Sequence, residues 1–372
     1  MHFRHSRILY TMPDQKKRFH FIDLLKAYAV LMMIQGHTLD AVLNPADKLT
    51  GLYQFLHMLR GLTAPAFLLA AGFGMAFSSW RKKDLPIADL LKQRVFRILP
   101  ILLIGYFLHV PYFSAFRIIV GLTGDEWQRF LQCDILQTIG YTVIGMQLIF
   151  MLVKSTRLRA LLSLAAAAAI LAFTPVAQAL RSLPLPLVQL VSSARGSPFP
   201  LFPFAAYLFA GVFLGYLFLW LGEKARPFLI LGCFCFIGAA LFAASFTNAA
   251  PHIKLFMFRT GILLILCSVF LLFEKNVHPV VEFFTTLGQE SLVIYYIHIM
   301  VVYGSAINKG FVNYLGTHLN TLQSVIAALA LTAVMILLGL GWSYIKEKDR
   351  EFSRLIRNAL AASVLLVFLA NP

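Results

Sequence analysis

Charge is what this chain carries least of. Only 13% of its 372 residues are Asp, Glu, Lys or Arg, about half the share found in a soluble globular domain. An ordinary soluble fold is thereby excluded. Disorder is excluded too, because it requires low hydrophobicity. Acidic residues are the scarcer sign, 16 against 32 basic, for a net charge of +16. Cysteine is limited to Cys133, Cys233, Cys235 and Cys267, and no spacing among them resembles a zinc or disulfide framework. They read as small packing residues, and no metal site is expected. Residues 1–20 are polar and basic, without an apolar stretch followed by a small-residue cleavage site, so a secretory signal is not expected. No Walker or dinucleotide fingerprint occurs. No internal repeat is visible, which argues against an inverted-repeat transporter.

What is present is apolar. Hydrophobic residues make up 59% of the chain, and mean hydropathy is +0.78. A spanning helix needs about 20 mainly apolar residues. Such runs lie near 22–43, 61–80, 96–115, 135–153, 160–180, 201–222, 227–246, 255–274, 280–302, 321–345 and 356–371, the last being short. The expected fold is all-α: a polytopic transmembrane helix bundle of about 10–11 spans with a cytoplasmic N-terminus. Residues 1–20 form a basic cytoplasmic segment and 21–372 a single transmembrane domain.

The positive charges test this map. With the N-terminus inside, 22 of the 32 lysines and arginines fall in cytoplasmic segments and seven on the opposite side. Lys26, Arg60 and Arg259 lie within or at the edges of spans. The bias repeats loop after loop, as the positive-inside rule requires. It also accounts for the net charge through topology and anionic headgroups, so nucleic acid is not an expected partner. The stretch from Trp80-Arg81-Lys82-Lys83 through Leu90, Leu91, Val95 and Phe96 reads as a basic amphipathic helix on the cytoplasmic surface.

Ionisable groups inside spans are costly and are functional candidates by default. The first span holds Asp23, Lys26, His37 and Asp40 at spacings of 3, 11 and 3. Eleven residues is close to three turns, so all four share one face, which must meet protein or water. At about 1.5 Å per residue, His37 reaches the outer half of the bilayer. Lys26 stays near the cytoplasmic edge, within reach of Asp23. In the ninth span Glu290 falls near mid-membrane, and His298 falls at a depth like that of His37. Arg60 and Arg259 belong to spans descending from the outer face, and Asp134 and Gln137 open the fourth span from that side. Several segments thus bring polar groups to one outer layer. His57 and His109 read as interfacial residues, as do Tyr106 and Tyr112, which look like part of an aromatic belt.

An imidazole suits proton transfer near neutral pH. It can act as general base or carry an acyl group briefly. A carboxylate such as Asp40 can set its tautomer, and Arg60 can stabilise an oxyanion or bind an anion. The same groups suit a proton-coupled transporter or flippase of a glycan or lipid. Residue types alone do not separate the two.

A resemblance bears on that choice. The segment Arg18-Phe-His-Phe-Ile-Asp23-Leu-Leu-Lys26, running on to Gln35-Gly36-His37, resembles the opening of transmembrane acyltransferases. These include the heparan-α-glucosaminide N-acetyltransferase-like proteins and the polysaccharide O-acyltransferases. Lys26 stands where those proteins carry an arginine. Arg60-Gly61 through Pro65, Phe67 and Gly72 resembles the second span of the glucosaminide-type branch. Asp134-Ile-Leu-Gln137-Thr-Ile-Gly140 is similar to its fourth, Pro198-Phe-Pro200-Leu-Phe-Pro203 with Gly211 and Gly215 to its sixth, and Gly288-Gln289-Glu290-Ser291-Leu292 with Tyr295 and His298 to a late span. The resemblance implies acyl-CoA as a cytoplasmic donor, not a permanently bound cofactor, and a saccharide or glycolipid acceptor reached from the other side. It implies His37 as the central catalytic residue.

On this reading His37, Asp40, Arg60, Glu290 and His298 are the catalytic set, and Lys26, Asp23, Asp134, Gln137 and Arg259 bind substrate. A CoA site would draw on scattered basic residues such as Lys82, Lys83 and Arg94. The expected location is a cell membrane, with compact loops leaning toward a bacterial inner membrane. The bilayer is a partner, and a homodimer is left open.

Overall fold

A computed structural model describes residues 18–82, 87–223, 227–274, 278–305 and 308–371. The basic segment expected over 1–20 lies outside these up to residue 17, as does the Lys83 side chain. Among the described residues there are helices and no strands. In chain order they are α1 (His20–Val42), α2 (Gly51–Arg60), α3 (Thr63–Arg81), α4 (Ile87–Phe107), α5 (Ala115–Val120), α6 (Gly124–Phe130), α7 (Ile135–Leu152), α8 (Thr156–Ala179) and α9 (Leu185–Val191). They continue with α10 (Leu201–Glu223), α11 (Pro227–Ala244), α12 (Pro251–Leu271), α13 (Pro279–Gln289), α14 (Ser291–Tyr303), α15 (Phe311–Tyr314), α16 (Thr321–Lys348) and α17 (Arg350–Ala370).

Each expected span overlaps helix, and seven helical stretches among the described residues are long and apolar enough to cross a membrane. The chain is a multi-pass membrane protein. Local chemistry sets the helix ends. Asp134 and Gln137 form a capping box at the start of α7, as do Asn320 and Gln323 at the start of α16, each satisfying two orphan amides. Pro251 and Pro279 open α12 and α13, where a missing N–H costs nothing.

Three expectations are corrected. From residue 87 the expected amphipathic stretch and the third span are one helix, α4, continuous through Pro100, whereas Trp80 and Arg81 end α3. It ends at Phe107, and a short 3₁₀ turn and α5 occupy 111–120. The ninth span is broken at Glu290 into α13 and α14. Between α1 and α3, α2 turns an apolar row of Leu52, Phe55 and Met58 outward, a surface helix that a search for spans passes over.

Helix α1 runs through the bundle and packs against α3, α12, α13, α14 and α16. Its first amides, of His20 and Phe21, donate to the Glu274 carboxylate at 3.2 and 3.0 Å, anchoring the end that the lysine bias assigns to the cytoplasm, hereafter the basic end. At the opposite end Asn44 N donates to Leu319 O (2.9 Å) and Leu319 N to Val42 O (3.0 Å), tying α1 to the approach of α16. Helices α3 and α10 meet backbone to backbone. A Cβ at Gly72 would lie 2.2 Å from Leu208 O, and one at Gly211 2.3 Å from Leu69 O. Small residues permit such approaches, which drive helix association where the surroundings are apolar. Helix α17 buries no residue and leans on the bundle through Phe368 against Phe107 and Phe113.

Candidate functional site

Two polar regions lie at opposite ends of α1. The first, at the outer end, is built by α1, α14 and the start of α7. His37 on α1 meets His298 on α14 edge-on, with ring centroids 5.4 Å apart. Tyr303, the last residue of α14, stands 5.5 Å from His37 on centroids. His298 is fully buried, and its Nδ1 donates to Ile294 O at 2.9 Å. One turn earlier, Tyr295 donates its hydroxyl to Asp134 Oδ2 at 2.7 Å. His109 Nε2 faces the same carboxylate oxygen at 3.7 Å, beyond hydrogen-bond length. Asp134 thus links the α4 exit, α7 and α14. Four buried nitrogens here, His37 Nδ1, His298 Nε2, His109 Nε2 and Gln137 Nε2, have no hydrogen-bond partner among the described residues. Buried polar atoms are nearly always partnered, so four such nitrogens together make this region a candidate binding site.

Arg60 borders this region. It ends α2 and is buried. Its Nη1 donates to Gly36 O (2.8 Å) and Asp40 Oδ1 (2.9 Å), and its Nη2 meets His57 Nδ1 at 2.5 Å. Tyr53 donates to the same Asp40 oxygen at 2.5 Å and stacks beneath the guanidinium. Arg60 Nε is buried without a partner. Asp40, expected to orient His37, therefore spends its carboxylate on Arg60 and Tyr53. Arg259 on α12 lies over Gly61, where a Cβ would be 3.1 Å from its Nη2, and it also adjoins Tyr207.

The second region is a cleft of about 860 Å³ at the basic end. Arg18, Lys26, Arg81, Lys82 and Arg97 line it with Asp23, over an apolar floor that includes Phe19 and Phe77. Asp23 pairs with Lys26 at 2.5 Å and accepts from Gln289 Nε2 at 3.3 Å. Burial pushes the Lys82 ammonium below its usual range, and Arg97 and Arg94 add like-charge repulsion.

The residues named from the sequence therefore divide. His37, His298, Asp134 and Gln137 gather at the outer end, with Arg60 and Asp40 beside them, and Asp23 and Lys26 line the basic cleft. Glu290, expected in the catalytic set, stands apart. It caps the break between α13 and α14 and pairs with Lys346 in the last turn of α16, toward the basic end. Arg94 does not line the cleft, being buried against Met75 Sδ and Ser79 Oγ. His109, expected at the interface, faces Asp134. Sequence reading missed Tyr303 and Tyr53. Neither tyrosine was singled out in the sequence, and only the turn of α2 toward α1 brings Tyr53 onto Asp40.

No curated protein matches the chain. A family model described as an acyltransferase domain matches residues 19–340, from the first turn of α1 almost to the end of α16. That match takes in the basic cleft except Arg18, together with Arg60 and the paired histidines, and the chain belongs to this acyltransferase family.

Proposed function

We propose that the protein moves an acetyl or short acyl group from acyl-CoA, bound at the basic end, to a saccharide or lipid-linked acceptor met at the outer end. The observation that carries this reading is the layout along α1. A cation-lined cleft lies beside Asp23 and Lys26, and toward the other end His37 pairs with the buried His298, within a membrane acyltransferase. Fourteen residues separate Asp23 from His37, about 21 Å of helix at ~1.5 Å per residue.

Each end suits one substrate. CoA carries phosphates on a long, thin pantetheine arm that ends in the thioester. Arginine and lysine are the side chains suited to its phosphates, and Arg18, Lys82 and Arg97 supply them. The arm then runs between helices toward the histidines. There the unpartnered nitrogens hydrogen-bond an acceptor rich in hydroxyl or amine groups. One imidazole takes the acceptor's proton as the acceptor attacks the thioester carbon, a contribution of about 10²–10⁴-fold. Buried donors stabilise the developing oxyanion. The glucosaminide-type resemblance favours an amino sugar or a glycan. The charge bias favours a cell membrane with the basic end in the cytoplasm.

The test is direct. Purified protein is incubated with radiolabelled acetyl-CoA and a panel of amino sugars and membrane glycolipids, wild type beside His37→Ala. Label transfer that depends on His37 is expected, and the fastest acceptor begins to name the substrate. Glycan or lipid uptake by reconstituted vesicles without acyl-CoA, and no acyl product, would sink the reading in favour of transport.

A further inference from the structure

The bonding of the two histidines differs, and the difference assigns their roles. His298 Nδ1 lies 2.9 Å from Ile294 O. A carbonyl only accepts, so Nδ1 carries the hydrogen and Nε2 carries the lone pair. That Nε2 is buried and has no partner among the described residues. The ring is held on its flanks by His37 at 5.4 Å and by Tyr295 at 5.8 Å, each edge-on. Tyr295 is itself pinned to Asp134. His298 thus presents a bare, fixed nitrogen lone pair to the space beside His37. His37 has no such anchor, since its Nδ1 is buried without a partner and nothing on the backbone sets its tautomer.

We infer that His298, through Nε2, is the base that deprotonates the acceptor, an inference that rests on the acyl-transfer reading above. The acceptor O–H or N–H bond breaks and its proton goes to Nε2. The acceptor atom bonds to the acyl carbon, the carbon–sulfur bond breaks, and the electron pair leaves on the CoA sulfur. The thiolate then takes the proton from the imidazolium, which returns His298 to its starting form. His37, unanchored, turns a ring N–H toward the carbonyl oxygen as charge develops there.

The rival account gives His298 only a structural role, a side chain bonded back to its own helix. Two variants separate the accounts. In His298→Asn the amide still donates to the helix carbonyl but offers no basic nitrogen. In His298→Ala both are lost, leaving room for added imidazole. Full-length protein in detergent is assayed with acetyl-CoA and the acceptor that wild type uses fastest, and acetyl-CoA binding is measured by calorimetry as the check on folding. Both variants are expected to bind acetyl-CoA as wild type does and to transfer about 10²–10⁴-fold more slowly. Added imidazoles are expected to rescue His298→Ala, the more basic ones better. Transfer by His298→Asn at the wild-type rate would overturn the inference and leave the acyl-transfer reading standing. Wild type that binds acetyl-CoA and acylates nothing would overturn both.

Discussion

Arg60 closes α2 with its guanidinium turned inward across α1, and its planar fork reaches Gly36 O, the Asp40 carboxylate, His57 and the Tyr53 hydroxyl at once. A lysine presents one compact ammonium and cannot span such a set. Arg60→Lys is therefore expected to behave much like Arg60→Ala. Each should lower stability by about 1.5–3 kcal/mol, the value of hydrogen bonds to a charged group, visible as a lower Tm in detergent. Because Arg60 lies at the outer end, the acceptor KM should rise while the donor KM holds. A lysine variant with wild-type Tm and acceptor KM would show that the fork is not what matters. The identity of these side chains was legible in the sequence, since an arginine at the edge of a span needs an explanation. Its partners were not, because a helical spacing of three puts Asp40 near His37 while the turn of α2 gives Asp40 to Arg60 instead.

At the scale of the helix, the last turns of α13 lie hard against α1. Gly288 sits so close to α1 that a Cβ would lie 1.8 Å from Asp23 O. The obstacle is backbone and cannot rotate away, so Gly288→Val must push α13 off α1, and overpacking of that kind costs about 1–3 kcal/mol. It also disturbs Asp23 and Gln289, which line the basic cleft. Lower Tm and weaker acetyl-CoA binding are expected together. Gly145→Ala in α7, where a Cβ meets open space, is the control and should leave both unchanged. The span map survived contact with the structure because about 20 apolar residues bounded by basic loops leave few alternatives. What it missed has a physical reason. Hydropathy windows average over a break such as the one at Glu290, and they skip α2, whose apolar row alternates with polar residues. The expected third span missed the start of helix α4 because those first turns are polar, although the helix is continuous from Ile87 through Pro100 to Phe107.

Over the whole molecule, the separation of the two polar ends is the feature with the largest consequence. The basic cleft opens where Arg18, Arg81, Lys82 and Arg97 converge, and the histidine pair lies near the far end of α1, so donor and acceptor should be presented on opposite faces of a bilayer. In sealed vesicles of known orientation, acetyl-CoA supplied to the basic face should support transfer to an acceptor supplied on the other face, and the reverse arrangement should not. The cations should make donor binding fall with rising salt, because interactions at exposed charges are screened over about 8–10 Å at 0.10–0.15 M ionic strength. Lys82→Ala should raise the donor KM, by about tenfold if one charge-assisted bond of at least 1.4 kcal/mol is lost, and should flatten the salt dependence without moving the acceptor KM. The Lys82 ammonium is held below its usual range, first by burial and then by Arg97 and Arg94, so its charge is lost at a lower pH than that of a free lysine. Donor affinity should therefore weaken as pH rises through that lowered value, and Lys82→Ala should abolish this step. Transfer with donor and acceptor on the same face would mean that the two ends of α1 do not divide the substrates between them.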